Sequence, residues 1–292
     1  MRVLLGHGIH VPLVVTHADD PRENIWFERV VDVAAKNELN VIMPTDPNAR
    51  EVVDRVAACA PDFLFSFYYR SMLKPALLAL PRRGALNMHG SLLPKYRGRA
   101  PVNWAVLHGE RHTGATLHYM TDKPDAGDIV AQQAVPILPD DTAADVLRKV
   151  AVAAEIALDA ALPALIAGTA SRVAQDLTQG SYFGGRTPED GRIDWSRSAR
   201  QIHDLVRAVA PPYPGAVTTI AGAPARILAT RVIDDSAIAA GEPALEAGNG
   251  QITVRCGGGG TLAICTLEID GAPIDPAGVL ARFGSATRLN EK

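Results

Sequence analysis

Three side chains in the first half of the sequence are of the types needed to transfer an acyl group to an amine. Asn87 and His89 stand two positions apart, and Asp125 opens a later Asp-Ala-Gly-Asp segment. An amide N–H can stabilise the oxyanion of a tetrahedral intermediate, and an imidazole can take the amine proton because its ordinary pKa lies near neutrality. A neighbouring carboxylate orients the imidazole and favours its protonated form. We therefore predict that Asn87, His89 and Asp125 are catalytic.

The residues around His89 indicate the end of a buried strand followed by an irregular loop. Residues 85–88 form a short apolar run, and glycines and prolines recur between positions 90 and 101. Functional residues concentrate in such loops, and an i, i+2 spacing on a strand sends Asn87 and His89 to the same side. Either residue alone is more often a turn former or a satisfied polar group, so the prediction depends on the combination.

The elements that must position these residues alternate between strands and helices. Strands are predicted at 9–16, 40–43, 63–67, 85–88 and 113–120, and helices at 24–35, 49–59, 74–80 and 141–165. Alternation of this kind indicates parallel strands joined by right-handed crossovers, hence an α/β domain with an open doubly wound sheet. Ligands in such sheets bind beyond the carboxyl ends of the strands, where Asn87 and His89 are expected.

The start of the sequence is atypical for such a domain. Only Gly6, His7 and Gly8 separate Met1–Leu5 from the strand predicted at 9–16. A crossover between parallel strands needs about a dozen residues or more, so Met1–Leu5 cannot be a first parallel strand. We expect it to be the end of a first helix, with the preceding strand missing and a gap left in the sheet.

From Ser171 onward, the sequence no longer shows the alternation of strands and helices. One helix is predicted at 198–209, and short strands are predicted at 217–220, 225–228, 251–254 and 262–267. Short strands separated by Gly and Pro are typical of a small β-barrel, here of the OB type. The run Gly257–Gly260 is read as a hairpin turn, because a phosphate-binding loop would need a following helix and usually a Lys. We predict domains at 1–180 and 190–292.

Composition and charge argue against several classes of function. The net charge is −3 and the isoelectric point is about 6.2, so the sequence shows no excess of positive charge of the kind that nucleic-acid binding usually needs. No apolar run is judged long enough to cross a bilayer, and Gly6 interrupts any signal-peptide core, so we expect a cytoplasmic protein without a membrane span.

No metal site is predicted. The cysteines at 59, 256 and 265 lack the Cys-x-x-Cys spacing of a zinc or redox site, so we interpret them as reduced thiols. His108, His112 and His118 are separated by four and six residues, which fits no single helical face and no His-Glu-x-x-His pattern. We interpret these histidines as surface or strand residues.

At the residues singled out above, the sequence resembles the folate-dependent formyltransferases. Their signature, Asn-x-His-x-Ser-Leu-Leu-Pro followed by Asp-x-Gly, is matched at 87–94 and 125–127, and the resemblance extends over nearly the whole chain. It implies a Rossmann-like domain that binds 10-formyltetrahydrofolate as co-substrate, a small carboxyl-terminal barrel, and catalytic roles for Asn87, His89 and Asp125. The folate contacts that it implies are Ser71, Met72, Leu73, Arg99, Thr121, Asp122, Lys123 and Pro124.

Within that family, the runs 65–70, 94–104 and 185–190 look most like the formyltransferase half of the bifunctional polymyxin-resistance enzyme of lipid A modification. This likeness implies a standalone enzyme that formylates the 4-amino group of UDP-4-amino-4-deoxy-L-arabinose. Tyr182 and Arg186 are assigned to this UDP-linked sugar because they lie where the loop joining the domains could meet a nucleotide. Trp195 could join them, although ordinary packing explains it equally well.

Three alternatives remain. Methionyl-tRNA formyltransferase shares the signature, but enzymes of that kind carry a basic insertion where this chain has the acidic segment 19–24. Without the positive side chains of such an insertion to contact the phosphates, tRNA binding loses its main source of affinity. A catalytically impaired relative that only binds folate or a nucleotide is the second alternative, and a hydrolase that releases formate is the third. The exact amino sugar and the oligomeric state are left open.

Overall fold

The computed structural model describes residues 1–20, 25–236 and 241–289. Residues 21–24, which belong to the predicted acidic segment and in part to the predicted helix at 24–35, lie outside the described residues. The chain forms two compact units, each built from several segments. The first unit comprises Met1–Gly98, Thr113–Val135 and Lys149–Phe183, and the second comprises Arg99–His112, Pro136–Arg148 and Gly184–Lys292. The domain limits 1–180 and 190–292 stay a prediction.

Strands and helices alternate through the amino-terminal part of the chain, as the sequence predicted. The elements up to residue 183 are α1 (Arg2–Gly6), β1 (Val14–Val15), α2 (Val30–Lys36), β2 (Val41–Ile42), α3 (Arg50–Ala58), β3 (Leu64–Phe67), α4 (Pro75–Leu78), β4 (Ala85–His89), β5 (Arg97–Gly98), α5 (Pro101–Leu107), β6 (His112–Tyr119), β7 (Ile129–Pro136), α6 (Ala143–Ala167) and β8 (Tyr182–Phe183).

The first unit is a Rossmann-like α/β domain whose parallel pairs are β1 with β2, β3 with β4 and β5 with β8. Its strands form two two-stranded sheets, β1 with β2 and β5 with β8, and a four-stranded sheet in the order β3-β4-β6-β7. Among the described residues, no strand pair joins these three sheets. Arg2–Gly6 form the helix α1, so this segment is helical, as expected, and is not a strand. Of the strand predicted at 9–16, only two residues form a strand, β1. The strand β6 was expected to be parallel to its neighbours, but it runs antiparallel to β4.

The strand β4 lies inside its sheet, between β3 and β6. Leu86 and Met88 are almost completely buried on one face, which anchors the strand in the core. Because successive side chains point to opposite faces of a sheet, Asn87 and His89 share the other face. The local pattern of the strand therefore fixes the side on which the polar pair appears.

The helix α6 requires a correction to one sequence interpretation. It has 25 residues and contains an 18-residue window with a mean hydropathy of 1.9, so by length and composition it could cross a membrane, whereas no such run was expected. Val146, Val150, Leu158, Leu162 and Leu165 are nevertheless buried along one face, while Val152 and Ile156 are exposed. This pattern is typical of an amphipathic helix that packs against a protein core.

The second unit contains a helix against a strongly bent antiparallel sheet. Its elements after residue 183 are α7 (Ala199–Val209), β9 (Ala216–Ile220), β10 (Ala223–Asp234), β11 (Ala244–Gly248), β12 (Gln251–Arg255), β13 (Thr261–Ile269), β14 (Ala272–Pro273), α8 (Pro276–Phe283) and β15 (Ala286–Arg288). The sheet order is β15-β11-β12-β13-β10-β9, with β14 paired to β13. Register shifts between β10 and β13 bend the sheet. The result is a curled half-barrel, and its assignment to the OB type stays a prediction.

The glycine run of the second unit is a hairpin turn between β12 and β13, as predicted. The amide of Ala199 at the start of α7 donates to the carbonyl of Gly259. A Cβ atom added at Gly258 would lie 2.5 Å from the backbone nitrogen of Ser198, so a residue with a side chain does not fit there. The glycines therefore allow the turn to pack against α7.

Candidate active site

The carboxylate of Asp125 lies at the centre of a cluster of polar side chains in the first unit. Its Oδ1 is 3.4 Å from Asn87 Nδ2, 3.5 Å from His89 Nδ1 and 3.4 Å from His118 Nε2. Its Oδ2 accepts a hydrogen bond of 2.9 Å from the backbone N–H of Gly98. The structure thus brings together the three residues that the sequence singled out for catalysis and adds His118 to them.

The position of Asp125 depends on an unusual loop backbone. Asp125 has a φ of +52°, in the left-handed region that residues other than glycine rarely adopt. A Cβ atom at Gly127 would lie 2.0 Å from the carbonyl oxygen of Tyr119, so the Asp-x-Gly pattern has a steric reason. The side-chain amide of Gln175 donates to the carbonyls of Asp125 and Gly127, at 3.0 and 2.6 Å. These contacts hold the turn that aims the carboxylate at the cluster.

The imidazole of His89 is buried, and only one of its nitrogens can exchange a proton with a substrate. Nε2 lies 2.8 Å from the carbonyl oxygen of Tyr96. A carbonyl only accepts hydrogen bonds, so Nε2 carries the proton and Nδ1 presents its lone pair. Burial lowers the pKa of His89 below its ordinary value, and the charge of Asp125 partly opposes that shift. At neutral pH the ring is therefore a neutral proton acceptor.

The carboxyl of Asp125 remains ionised. Burial by itself raises its pKa, but the neighbouring His118 and His89 rings and the Gly98 N–H together lower the pKa below the ordinary value. An ionised carboxylate beside Nδ1 stabilises the imidazolium that forms when His89 takes a proton.

His118 corrects the sequence interpretation of the three histidines. It is a strand residue, as interpreted, but its side chain is only 1% exposed and faces Asn87 and Asp125. The strand register explains this position, because Asn87 and His118 are direct partners between β4 and β6. The signal that was missed is the antiparallel pairing of β6 with β4, because this pairing places His118 directly opposite Asn87. Within the described ranges, no three His, Cys, Asp or Glu side chains are arranged to hold a metal ion.

Most of the residues assigned to folate are exposed, whereas Leu73 and Pro124 are half-buried. Ser71, Met72 and Leu73 follow β3, and Asn48 fixes this turn by donating to the Met72 carbonyl at 3.0 Å. Met72 is 60% exposed. The loop from Thr121 to Pro124 leads into Asp125, and the Thr121 hydroxyl donates to the Lys123 carbonyl. Arg99 belongs to the second unit and is also exposed.

The residues assigned to the nucleotide sugar have different surroundings. Tyr182 lies on β8, is paired with Arg97 and is 58% exposed. Arg186, in the second unit, places its guanidinium over the Trp104 ring at 5.1 Å, and its buried Nη1 has no partner among the described residues. Trp195 is a core residue whose indole N–H donates to Thr218, which favours the packing interpretation.

Comparisons with known proteins agree with the fold and with the signature. A family model described as formyl transferase matches residues 5–162, and one described as formyl transferase, C-terminal domain, matches residues 186–283.

Among solved structures, an N-formyltransferase from Helicobacter canadensis in complex with folinic acid and dTDP-3-aminofucose is similar at 20% identity and a TM-score of 0.69, with 90% of this chain and 93% of that chain covered. The sugar 3N-formyl transferase WlaRD, determined with dTDP and 5-N-formyl-THF, is similar at 18% identity and a TM-score of 0.66, over 96% and 88% of the two chains. A 4-N formyltransferase from Francisella tularensis is similar at 21% identity and a TM-score of 0.55, over 64% and 75%.

The structural likenesses, all at low identity, support the fold, and the family models cover most of the sequence on both sides of residue 180. Together with the clustered Asn87, His89 and Asp125, they leave one assignment: this chain belongs to the formyl transferase family.

Proposed function

We propose that this formyltransferase moves the formyl group of 10-formyltetrahydrofolate to the 4-amino group of UDP-4-amino-4-deoxy-L-arabinose, a step of lipid A modification. The observation that carries the proposal is the cluster in which Asn87, His89 and His118 all lie within 3.5 Å of Asp125 Oδ1. The runs 94–104 and 185–190 support this acceptor by their likeness to the lipid A enzyme. Two of the similar solved structures hold a folate compound, which supports the donor.

The chemistry follows from the hydrogen-bond partners. The neutral amine attacks the formyl carbon, and the new C–N bond leaves a tetrahedral oxyanion that the amide of Asn87 stabilises. His89 takes the amine proton at Nδ1, and the ionised Asp125 stabilises the resulting imidazolium. The Tyr96 carbonyl keeps Nε2 protonated throughout. Collapse of the intermediate breaks the bond to N10 of the folate, and the proton on His89 passes to that nitrogen.

The segments Ser71–Leu73 and Thr121–Pro124, together with Arg99, are proposed to contact the folate. The first two lie in exposed turns of the first unit, and the second is continuous with the catalytic Asp125. Contacts that backbone groups of these turns make with a pterin would not depend on particular side chains. No metal takes part in the proposed reaction, because the imidazole and the amide already supply proton transfer and oxyanion stabilisation.

Tyr182 and Arg186 are proposed to contact the nucleotide sugar. The unpartnered, buried Nη1 of Arg186 supports this role, since a guanidinium is well suited to the oxygens of a diphosphate. Burial lowers the pKa of Arg186 only from a very high ordinary value, so the group stays cationic. We further propose a cytoplasmic location, where both the folate and the sugar nucleotide are available.

The acceptor is tested with a panel. The enzyme is incubated with 10-formyltetrahydrofolate and, separately, UDP-4-amino-4-deoxy-L-arabinose, dTDP-linked 3- and 4-amino sugars, or initiator Met-tRNA, and each product is read by its gain of one formyl group in mass. Formylation of the UDP sugar in preference to the others is expected. Preference for a dTDP sugar or for the tRNA would contradict the acceptor while keeping the reaction.

Two further outcomes would contradict formyl transfer itself. Binding of folinic acid, measured by calorimetry, without turnover of any acceptor would indicate a catalytically impaired folate-binding protein. Release of formate in the absence of an amine, at a rate equal to that with the amine, would indicate a hydrolase.

A further inference from the structure

We propose that His118 is a positioning residue that holds the Asn87 carboxamide in the orientation required for formyl transfer. The inference rests on the proposed function, because it concerns the same site. His118 lies directly across the sheet from Asn87, in the antiparallel register of β4 and β6. Its Nε2 is 3.3 Å from Asn87 Nδ2, and the ring is almost completely buried.

The tautomer of His118 follows from its other nitrogen. Nδ1 lies 2.8 Å from the carbonyl oxygen of Tyr119. Since a carbonyl can only accept, Nδ1 carries the proton of the neutral ring, and Nε2 is left as an acceptor. The contact of Nε2 with Asp125 Oδ1, at 3.4 Å, is then a contact between two acceptors that the Asn87 amide group separates. The acceptor faces Asn87 Nδ2, so the nitrogen end of the carboxamide, and not its oxygen end, points to His118 and Asp125.

This arrangement divides the two hydrogens of the Asn87 amide between two tasks. One N–H donates to His118 and fixes the plane of the carboxamide. The other points to Asp125 Oδ1 over 3.4 Å, which is long for a hydrogen bond. When His89 takes the amine proton, its Nδ1–H becomes the better donor to Asp125. The second N–H of Asn87 is then released to the formyl oxyanion, in the step at which that charge develops.

Without an acceptor at Nε2, the carboxamide would lose this anchor. Rotation by a half turn would direct its oxygen, instead of its N–H, toward the place of the oxyanion, and two acceptors would then repel each other. Replacement of His118 by a residue without this acceptor should therefore lower kcat. The KM values for the folate and for the amino sugar should stay close to those of the parent, because the interaction matters only once the oxyanion forms.

Two variants separate this role from simple packing. In His118→Gln the side-chain carbonyl reaches about as far as Nε2 and keeps an acceptor for Asn87. His118→Asn reaches only about as far as Nδ1 and keeps the contact to Tyr119 but not the acceptor. With 10-formyltetrahydrofolate and UDP-4-amino-4-deoxy-L-arabinose, we expect H118N to lower kcat on the order of 10- to 100-fold, and H118Q to stay within about threefold of the parent. Rates are expressed per folded molecule from circular dichroism.

A double-mutant cycle locates the effect on Asn87. If His118 acts through Asn87, the variant N87A/H118N should be no slower than N87A. Equal kcat values for H118N and the parent, equal losses in H118N and H118Q, or losses that multiply in the double variant would overturn the inference. Full activity of N87A would instead contradict the proposed catalytic site, so the two failures can be told apart.

A measurement that requires no turnover completes the test. In protein labelled with 15N in the histidine rings, His118 should show a protonated Nδ1 and an unprotonated Nε2, and the substitution N87A should move the Nε2 resonance. A proton on Nε2, or an Nε2 resonance that N87A leaves in place, would contradict the inference even if the acceptor sugar is another one.

Discussion

The two units each bury a cluster of histidine and aspartate, but the clusters differ in how well their polar atoms are bonded. In the second unit, Arg207 Nε donates to Asp204 over 2.7 Å, and Arg207 Nη1 donates to the Asp141 carbonyl over 3.0 Å. His203 uses both ring nitrogens, at 2.9 Å from Thr230 Oγ1 and 3.0 Å from the Pro139 carbonyl. In the first unit, the contacts of Asp125 Oδ1 are all 3.4 to 3.5 Å.

This difference distinguishes a structural cluster from the cluster that we propose to be catalytic. Short hydrogen bonds, such as those of Arg207 Nε and Nη1, stabilise the fold and occupy the polar atoms that form them. Long contacts around Asp125 keep donors and acceptors available, and catalytic hydrogen bonds are often long before substrate binds. Residue type and burial do not separate the two clusters, whereas the lengths of the contacts at Asp204 Oδ1 and at Asp125 Oδ1 do.

Removal of one ion-pair partner should have its largest effect in the second unit. Asp204→Ala leaves Arg207 buried without its carboxylate, so we expect the free energy of unfolding to fall by about 3–5 kcal/mol. Burial raises the pKa of Asp204 against the influence of Arg207, which indicates how costly this environment is for charge. Chemical denaturation measures the change.

The matched control is Asp270→Ala, which breaks the exposed pair of Asp270 with Arg282. Its expected effect on unfolding is at most about 1 kcal/mol, because solvent screens exposed pairs. Equal losses of the free energy of unfolding in the two variants would contradict the structural role assigned to Asp204.

Removal of a histidine should affect turnover in the first unit only. We expect His89→Ala to lower kcat by roughly 100-fold or more, since general acid–base catalysis contributes at least that much. His203→Ala should lower the free energy of unfolding and leave the turnover of the folded molecules near that of the parent. A steady-state assay with both variants makes the comparison, and comparable turnover in the two would contradict it.

The loop that aims Asp125 should respond to a change at Gln175. Gln175→Ala removes the donor to the carbonyls of Asp125 and Gly127, so the carboxylate is held less tightly beside His89. We expect kcat to fall by about 10-fold, the equivalent of 1.4 kcal/mol. The exposed Gln179, in the same chain segment, supplies the control, because Gln179→Ala should leave kcat unchanged. An unchanged rate for Gln175→Ala would show that the turn keeps its shape without this side chain.

The smallest expected effect is on the pH profile. Because burial lowers the pKa of His89 below 6.5, the acid limb of kcat/KM should have its midpoint below pH 6.5. The same shift means that the unfolded chain binds a proton first as the pH falls, so stability decreases below about pH 6.5. His203 has a pKa lowered by burial as well, and should share the effect on stability but not the one on kcat/KM. An acid limb above pH 6.5 that persists in H203Q would contradict the assignment to His89.

Local patterns in the sequence predicted the parts of the site that local structure determines. The apolar run before Asn87 gave a strand that the structure has at Ala85–His89, and the i, i+2 spacing gave the shared face. The glycine of the Asp-x-Gly segment has a steric reason at Tyr119. Such features depend on neighbours in the chain and are therefore accessible from the sequence.

Features that depend on distant pairing were not accessible. Thr113–Met120 was predicted as a strand, but its antiparallel direction follows from its pairing with β4, and that pairing puts His118 in the cluster. The helix α5 was not predicted: Pro101 was taken only as a sign of the preceding irregular loop, although proline is favoured in the first turn of a helix. The tautomers of His89 and His118 depend on the carbonyls of Tyr96 and Tyr119, which no motif reveals.

The most direct test of the account is the rate of mass gain of UDP-4-amino-4-deoxy-L-arabinose with 10-formyltetrahydrofolate, compared between the parent enzyme and His89→Ala at equal folded concentration. The account predicts one formyl group per sugar, formed roughly 100-fold or more faster by the parent. Equal rates for the two proteins, or no formylated sugar with the parent, would contradict it.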